Sequence, residues 1–437
     1  MLSTVKVFDA CQVDFYRELS RPDRHSMIAG IPERLQEFEP THAEALRRVD
    51  ALHPAKYALS RNALDGAVSG LSPYFTHGVL GMRQAVARVV QRQRLNFEDK
   101  LMFEFAWREF FHHVYSREGD KVLTDMRPTS VWAGKYAAEL PTDIREGRTG
   151  VNVIDAAVRQ LYATGYLHNH ARMWLASYVV HLRKVHWRAG ADWLYGHLLD
   201  GDVPSNHLSW QWVAGTFSSK PYLFNADNVA KYAPKGDFKS WVSKGSVVDQ
   251  SYDELDDIAR NQGDVGAEKG SHVGTTEPAL LAVPPGEFSS TALTGSPWGK
   301  RSIELIHPWA MSERSSSDAS GAWRLGVVHL PAHAALPWSE ARWRWVMRRM
   351  QQVCDRVFIG DVSGLRLSLP LREHGQTTSS AAPFPGYAAA LEKVAEVSAE
   401  PRLLLNPSNT CRSFSTFYEQ VKRQSRSVSA LLNGELV

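Results

Sequence analysis

Cysteine is nearly absent. The chain has three, Cys11, Cys354 and Cys411, with no CxxC pair among them. That spacing excludes a disulfide framework and a zinc site, so no metal is expected, and it fits a reducing, cytoplasmic setting. Long apolar runs are also missing. No stretch reaches the eighteen or so residues of a membrane-spanning helix. The N-terminus, MLSTVKVFDACQVDF, lacks the basic patch and apolar segment of a secretory signal. Neither sign of charge dominates. A formal net charge of +3 is too small to indicate a nucleic-acid partner by itself. Basic pairs such as Arg47-Arg48, Arg92 with Arg94, and Arg183-Lys184 read as solvated helix faces. No GxGxxG and no Walker loop occurs, so no nucleotide motif is available. What the chain does have is tryptophan, 14 in all.

The apolar period divides the chain. Residues 33–240 show three- and four-residue spacing in ERLQEFEPTHAEALRRVDAL, LGMRQAVARVVQR, EDKLMFEFAWREFFHHVYS and VIDAAVRQLYATG. Asn152 and Asp155 are plausible helix starts, and Gly165 and Gly190 plausible ends. The expectation is a mainly α protein, with an all-helical domain over 1–245. Residues 246–300 are rich in Gly, Ser, Thr, Pro and acid and read as a linker, with one helix in DQSYDELDDIARNQ. Over 301–437, short β-like runs (SIELIH, WRLGVVHL, DRVFIGDV, RLLLN) alternate with the helical patterns WSEARWRWVMRRMQQVC, GYAAALEKVAEV and SFSTFYEQVKRQ. That alternation predicts a small C-terminal α/β domain with a parallel sheet. PWSEARWRWVMRRM could touch DNA, but an amphipathic docking helix explains it as well.

Three segments carry chemistry. In EFAWREFF, Glu104, Trp107 and Arg108 share one helical face and could grip a flat polar ligand. A core Trp beside a surface ion pair would give the same triplet. In LHNHARMW, Asn169, Arg172 and Met173 share a face. Arg172 could hold Asp200 by two parallel bonds. In DGDVPSNHLSWQW, two acids, an asparagine and two indoles lie within thirteen residues. That mixture suits a redox cofactor meeting a second aromatic ligand, although a polar loop with two buried tryptophans would also fit.

GLSPYFTHGVL, EFAWREFF, GRTGVNVIDAAVRQLYATGYLHNHARMW and DGDVPSNHLSWQW together stand in the order seen in the flavin domain of DNA photolyases and cryptochromes. The resemblance covers about residues 30 to 240. It implies FAD as cofactor, damaged DNA (single- or double-stranded) as partner, a monomer, and light-driven splitting of cyclobutane pyrimidine dimers. A cryptochrome-like blue-light sensor is the alternative. Carried over, Tyr57, Ser69, Leu71, Ser72, Arg108, Arg172, Asp200, Asp202 and Asn206 resemble the FAD-holding residues. Glu104, Trp107, Asn169, Met173 and Trp212 resemble the lesion pocket. Trp210, Trp187 and Trp132 resemble an electron relay, and Arg61 a DNA-phosphate contact.

Departures from the family pattern are equally specific. Val68 stands where a hydroxyl residue is usual, and Gly70 where Arg is usual. The run after Trp212 lacks the usual STGTDA-type sequence. His207, Leu208 and Ser209 replace smaller residues. The family's N-terminal α/β antenna domain is expected to be missing, since helical patterns begin almost at Met1. Few phosphate contacts are expected, hence a mild salt dependence of DNA binding.

Overall fold

The structure, a computed structural model, describes residues 31–128, 131–270, 273–288, 301–314, 321–367 and 376–435. Cys11 and the 289–300 part of the expected linker lie outside the described residues. Within 42–261 the regular elements are helices. Those that build the site are α1 (Pro54–Ser60), α2 (Ser72–Thr76), α3 (Lys100–Glu118), α4 (Asn152–Thr164), α5 (Asn169–Ser177), α6 (Trp187–His197) and α7 (Val203–Ala214).

Local chemistry sets their ends. Proline opens α1, α2 and α7, where its missing N–H has no intrahelical partner to lose. Asp202 caps α7 by accepting from the Ser205 backbone N–H. Gly165 closes α4 in the left-handed region at φ +65, as the sequence predicts. Two other signals read differently. Asp155 accepts from Thr149 N and Oγ1 and from Gly150 N, and so ties down the preceding loop. Gly190 lies inside α6 rather than at its end. A Cβ there would stand 2.4 Å from the Trp210 ring, so glycine is what lets that indole pack against α6.

The basic pairs are not simply solvated. Arg48 and Arg183-Lys184 are buried. Arg183 holds Asp143 and Asp264, and Lys184 donates to the carbonyls of His181, Ile258 and Ala259. Each cation is satisfied inside the fold, as burial demands.

Beyond Lys244 the described residues up to Leu281 pack against the helices. Helix α8 (Tyr252–Asn261) starts with a capping box from Ser251 and Glu254 and buries Leu255 and Ala259. Glu277 then binds Arg145 and the Trp193 indole, and β1 (Leu280–Leu281) pairs antiparallel with β4 (Trp338–Ser339).

The other sheet contains β2 (Ile303–Ile306), β3 (Trp323–His329), β5 (Arg356–Gly360), β6 (Thr377–Ser380) and β7 (Glu396–Ser398). Its order is β5-β3-β2-β6-β7 and all pairs are parallel. Helices α9 (Glu340–Val353), α10 (Tyr387–Glu392) and α11 (Phe414–Arg423) fall on the predicted patterns. RLLLN does not form a strand. Leu403 and Leu404 are buried, but the Leu403 N–H donates to the Glu109 carboxylate of α3 instead of to a ladder.

Helix α9 is a docking helix. Arg342 lies under Trp338 at 4.1 Å and donates to the carbonyls of Tyr195 and Gly201. Trp345 donates to the Phe38 carbonyl. One hydrophobic cluster runs from Leu35 and Phe110 through Trp309, Trp343 and Phe417, so the sheet domain and the first helices share a core. Among the described residues, no helix is long and apolar enough to cross a membrane.

Candidate functional site

A single cavity gathers most of the predicted residues. Tyr57, Ser69, Ser72, Glu104, Trp107, Arg108, Asn169, Arg172, Met173, Asp200, Asp202, Asn206 and Trp210 all line it. They come from α1, α2, α3, α5 and α7 and from the loops before α2 and α7. The 3.6-residue period explains the grouping: Glu104/Arg108 and Asn169/Met173 are each one turn apart and point the same way. Phe75, Phe105 and Phe111 complete the walls.

Arg172 reaches Asp200 as predicted, by a different geometry. Its Nη2 lies 3.0 and 2.7 Å from the two carboxylate oxygens, because Nε is committed to the Leu167 carbonyl. Asp202 is almost fully buried. Its Oδ2 receives Ser205 N, His112 Nε2 at 3.1 Å and Arg108 Nη1 at 3.4 Å. Burial alone would raise its pKa. Arg108 and His112 outweigh that and hold the carboxyl well below the usual range. Asp202 Oδ1 is buried without a partner. Asn206 Nδ2 donates to the Ala191 carbonyl, which fixes the carboxamide's orientation.

Glu104 faces the cavity from α3, and burial pushes its carboxyl up, against the pull of Arg61 3.6 Å away. Arg61 lines an adjoining recess with Tyr57, Glu104, His168, Asn169 and His170, and its Nε is buried and unpartnered. Asn169 Nδ2 lies 3.4 Å from Met173 Sδ.

Other predicted residues lie off the cavity. Leu71 is fully buried and acts through its backbone, donating to Ser69 Oγ. Trp212 packs on Tyr222, with ring centroids 5.8 Å apart. Two residues along a helix is a turn of about 200°, so Trp210 and Trp212 point to different sides. Trp187 is buried, donates to Asp125, and has His186 and His207 as ring neighbours at 5.6 and 6.4 Å. Trp132 is half-buried under Lys184 and meets Tyr136 edge-on at 5.1 Å.

The departures have local causes. Gly70 adopts φ +59, and a Cβ there would stand 2.6 Å from the Arg48 guanidinium. Arg48 already occupies that space, held by Glu44 and by the carbonyls of Arg34 and Glu37. His207 is buried with Nε2 2.9 Å from Asp192.

Sequence reasoning missed three neighbours. His112 was visible as the next turn after Arg108. Glu400 and Phe414 come from the α/β domain and carry no signal. Glu400 lies 3.0 Å from His112 Nδ1, and Phe414 stacks on Trp107 at 4.0 Å and 8°.

Residues 101–270 match the FAD-binding domain of DNA photolyase. The helical domain is thus similar to the FAD-binding domain of photolyases and cryptochromes. The matched domain is one that binds FAD. The donor set fits that group: hydroxyls, two carboxylates, a carboxamide and an orphaned buried Asp202 oxygen line an aromatic-walled cavity. A deoxyribodipyrimidine photo-lyase of Vibrio cholerae is 34% identical over 220 residues, 47% of this chain and 45% of the relative. A chloroplastic/mitochondrial cryptochrome DASH of Ostreococcus tauri is 30% identical over 282 residues, 61% and 50% of the two chains. The solved Synechocystis cryptochrome is similar at 27% identity and a TM-score of 0.40, covering 46% of this chain and 45% of that one. The chain spans about half the length of these relatives.

Proposed function

We propose that this protein splits cyclobutane pyrimidine dimers in DNA, using blue light and reduced FAD. One observation carries the reading. Cofactor-type groups (Arg172–Asp200, Asp202, Asn206) and base-type groups (Glu104, Trp107, Asn169, Met173) line the same cavity. When bound, the flavin supplies light absorption and one-electron chemistry.

The chain's own residues do the rest. Ser69, Ser72 and Tyr57 offer hydroxyls to the cavity, and the Arg172–Asp200 pair and Asp202 fix charge in it. Trp107 presents an indole on which an extruded base can stack, worth about 1–3 kcal/mol per base. Glu104, its carboxyl pushed up by burial, can hydrogen-bond the edge of a base in the cavity. Asn169 can both donate and accept at a base edge. Trp210, Trp187 and Trp132 are the indoles assigned to carry electrons between surface and cavity. Arg61 would position the strand through a phosphate. We place the protein in the cytoplasm as a monomer acting on damaged DNA.

The test is repair by the chemically reduced protein, with oligonucleotides bearing one thymine dimer, single- and double-stranded, in blue light and in the dark. Light-dependent loss of the dimer is expected. Bound FAD with no dimer lost on either strand would overturn the reading. A light sensor is then the next reading, favoured by the Phe414 stack on Trp107, which ties the α/β domain to this wall of the cavity.

A further inference from the structure

The α/β domain reaches the flavin cavity through one ion chain. Glu400, two residues past β7, lies 3.0 Å from Nδ1 of His112. Nε2 of the same ring lies 3.1 Å from Asp202 Oδ2. A neutral imidazole has a single N–H and can donate to one of these carboxylates only; an imidazolium donates to both. Of the other charges near the ring, Arg108 works against the charged form, and the two carboxylates outweigh it. Arg108, one turn back on α3, is itself 3.4 Å from Asp202. Glu109, the neighbouring α3 acid, is 3.7 Å from Arg402, whose Nη2 donates to the His112 carbonyl and not to the ring. Burial opposes a charged His112, but Asp202 and Glu400 outweigh it and push its pKa up to about 9.

We propose that Glu400 is a positioning residue of the flavin site: it holds His112 as an imidazolium against Asp202, so the α/β domain completes the charge balance of the cofactor cavity. With Oδ2 occupied by His112 and Ser205, Asp202 Oδ1 is the oxygen left for the cofactor. Because the folded pKa of His112 is raised, its contribution is fully present below its unfolded value of about 6.5 and is lost as pH rises through about 9. Glu400 sets the upper limit of that window. The inference rests on the cavity's holding FAD and does not depend on which lesion is repaired.

The experiment compares wild type with Glu400→Gln, which keeps an acceptor but removes the charge, and with Glu400→Asp, the conservative rescue. FAD affinity is read from flavin fluorescence between about pH 6 and 8. The His112 titration is read by NMR of histidine-labelled protein, assigned with His112→Asn. The wild-type affinity should be flat over that range. Glu400→Gln should lower the His112 midpoint and weaken FAD binding progressively toward the alkaline end, by about tenfold at about pH 8 for each unit the midpoint falls below about 8. Glu400→Asp should retain the wild-type profile. A Glu400→Gln protein with an unmoved His112 titration and a flat affinity profile would overturn the proposal, even if its melting temperature fell. Should that variant not load FAD at all, the His112 titration of its apoprotein decides in the same way. Failure of the wild type to retain FAD would count against the cofactor assignment instead, and the apoprotein titration would still decide the role of Glu400.

Discussion

The helical domain and the α/β domain use the same residue types in opposite ways. In the first, Arg61, Arg108 and Arg172 line cavities, and Trp107 and Trp210 form cavity wall. In the second, Arg342 and Arg349 are buried and donate to backbone carbonyls, and Trp338, Trp343 and Trp345 fill the shared core. An Arg- and Trp-rich helix therefore marks a ligand site only where the backbone leaves its donors unspent. PWSEARWRWVMRRM spends them on docking; EFAWREFF presents them to a cavity.

The sharpest way to break this contrast is at the cavity's central pair. Asp200→Ala leaves the Arg172 guanidinium without its carboxylate. Breaking a buried pair costs about 3–5 kcal/mol, so FAD affinity should fall by at least about a hundredfold, leaving apoprotein on purification. Full FAD occupancy, measured by absorbance after gel filtration, would sink the cofactor assignment. The docking side is next. Arg342→Ala removes bonds to Tyr195 and Gly201 in a site with no exposure. It should lower stability in urea unfolding by about 3–4 kcal/mol. A loss under about 1 kcal/mol would show that α9 is held by apolar packing alone.

Legibility in the sequence follows the same divide. The cavity residues of α3 and α5 were readable because helical spacing alone puts Glu104 beside Arg108 and Asn169 beside Met173. The parallel sheet was readable from alternation, but β6 (TTSS) and β7 (EVS) were not, because hydroxyls and acids carry no apolar signal there. RLLLN looked like a strand because its leucines form an apolar run, yet Leu403 and Leu404 are buried by docking on α3 while Leu405 is exposed. Gly190 looked like a helix end because only tertiary contact with Trp210 explains a glycine inside α6. Glu400 and Phe414 lie some three hundred residues from their partners, beyond the reach of any local pattern.

Smaller effects test the lesion side. Trp107→Ala removes one stacking surface and should weaken binding of a dimer-bearing oligonucleotide by about 1–3 kcal/mol. FAD content should hold, since the Arg172–Asp200 pair is untouched. Equal loss of FAD and oligonucleotide affinity would mean that this wall serves the cofactor.

The smallest effect sits where the two regions meet. Phe414 lies flat on Trp107, with centroids 4.0 Å apart and an 8° angle. It also meets Phe103 at 4.6 Å and Tyr418 at 5.5 Å, so α11 braces the indole from the side of the α/β domain. Phe414→Leu keeps apolar bulk but removes the ring, forfeiting about 0.5–1.5 kcal/mol of aromatic pairing. If the brace sets the indole's orientation, lesion affinity should drop several-fold while FAD affinity stays level. If lesion affinity is unchanged and only thermal stability falls, the stack is a docking contact like those of α9. The contrast between the two regions would then hold up to their boundary.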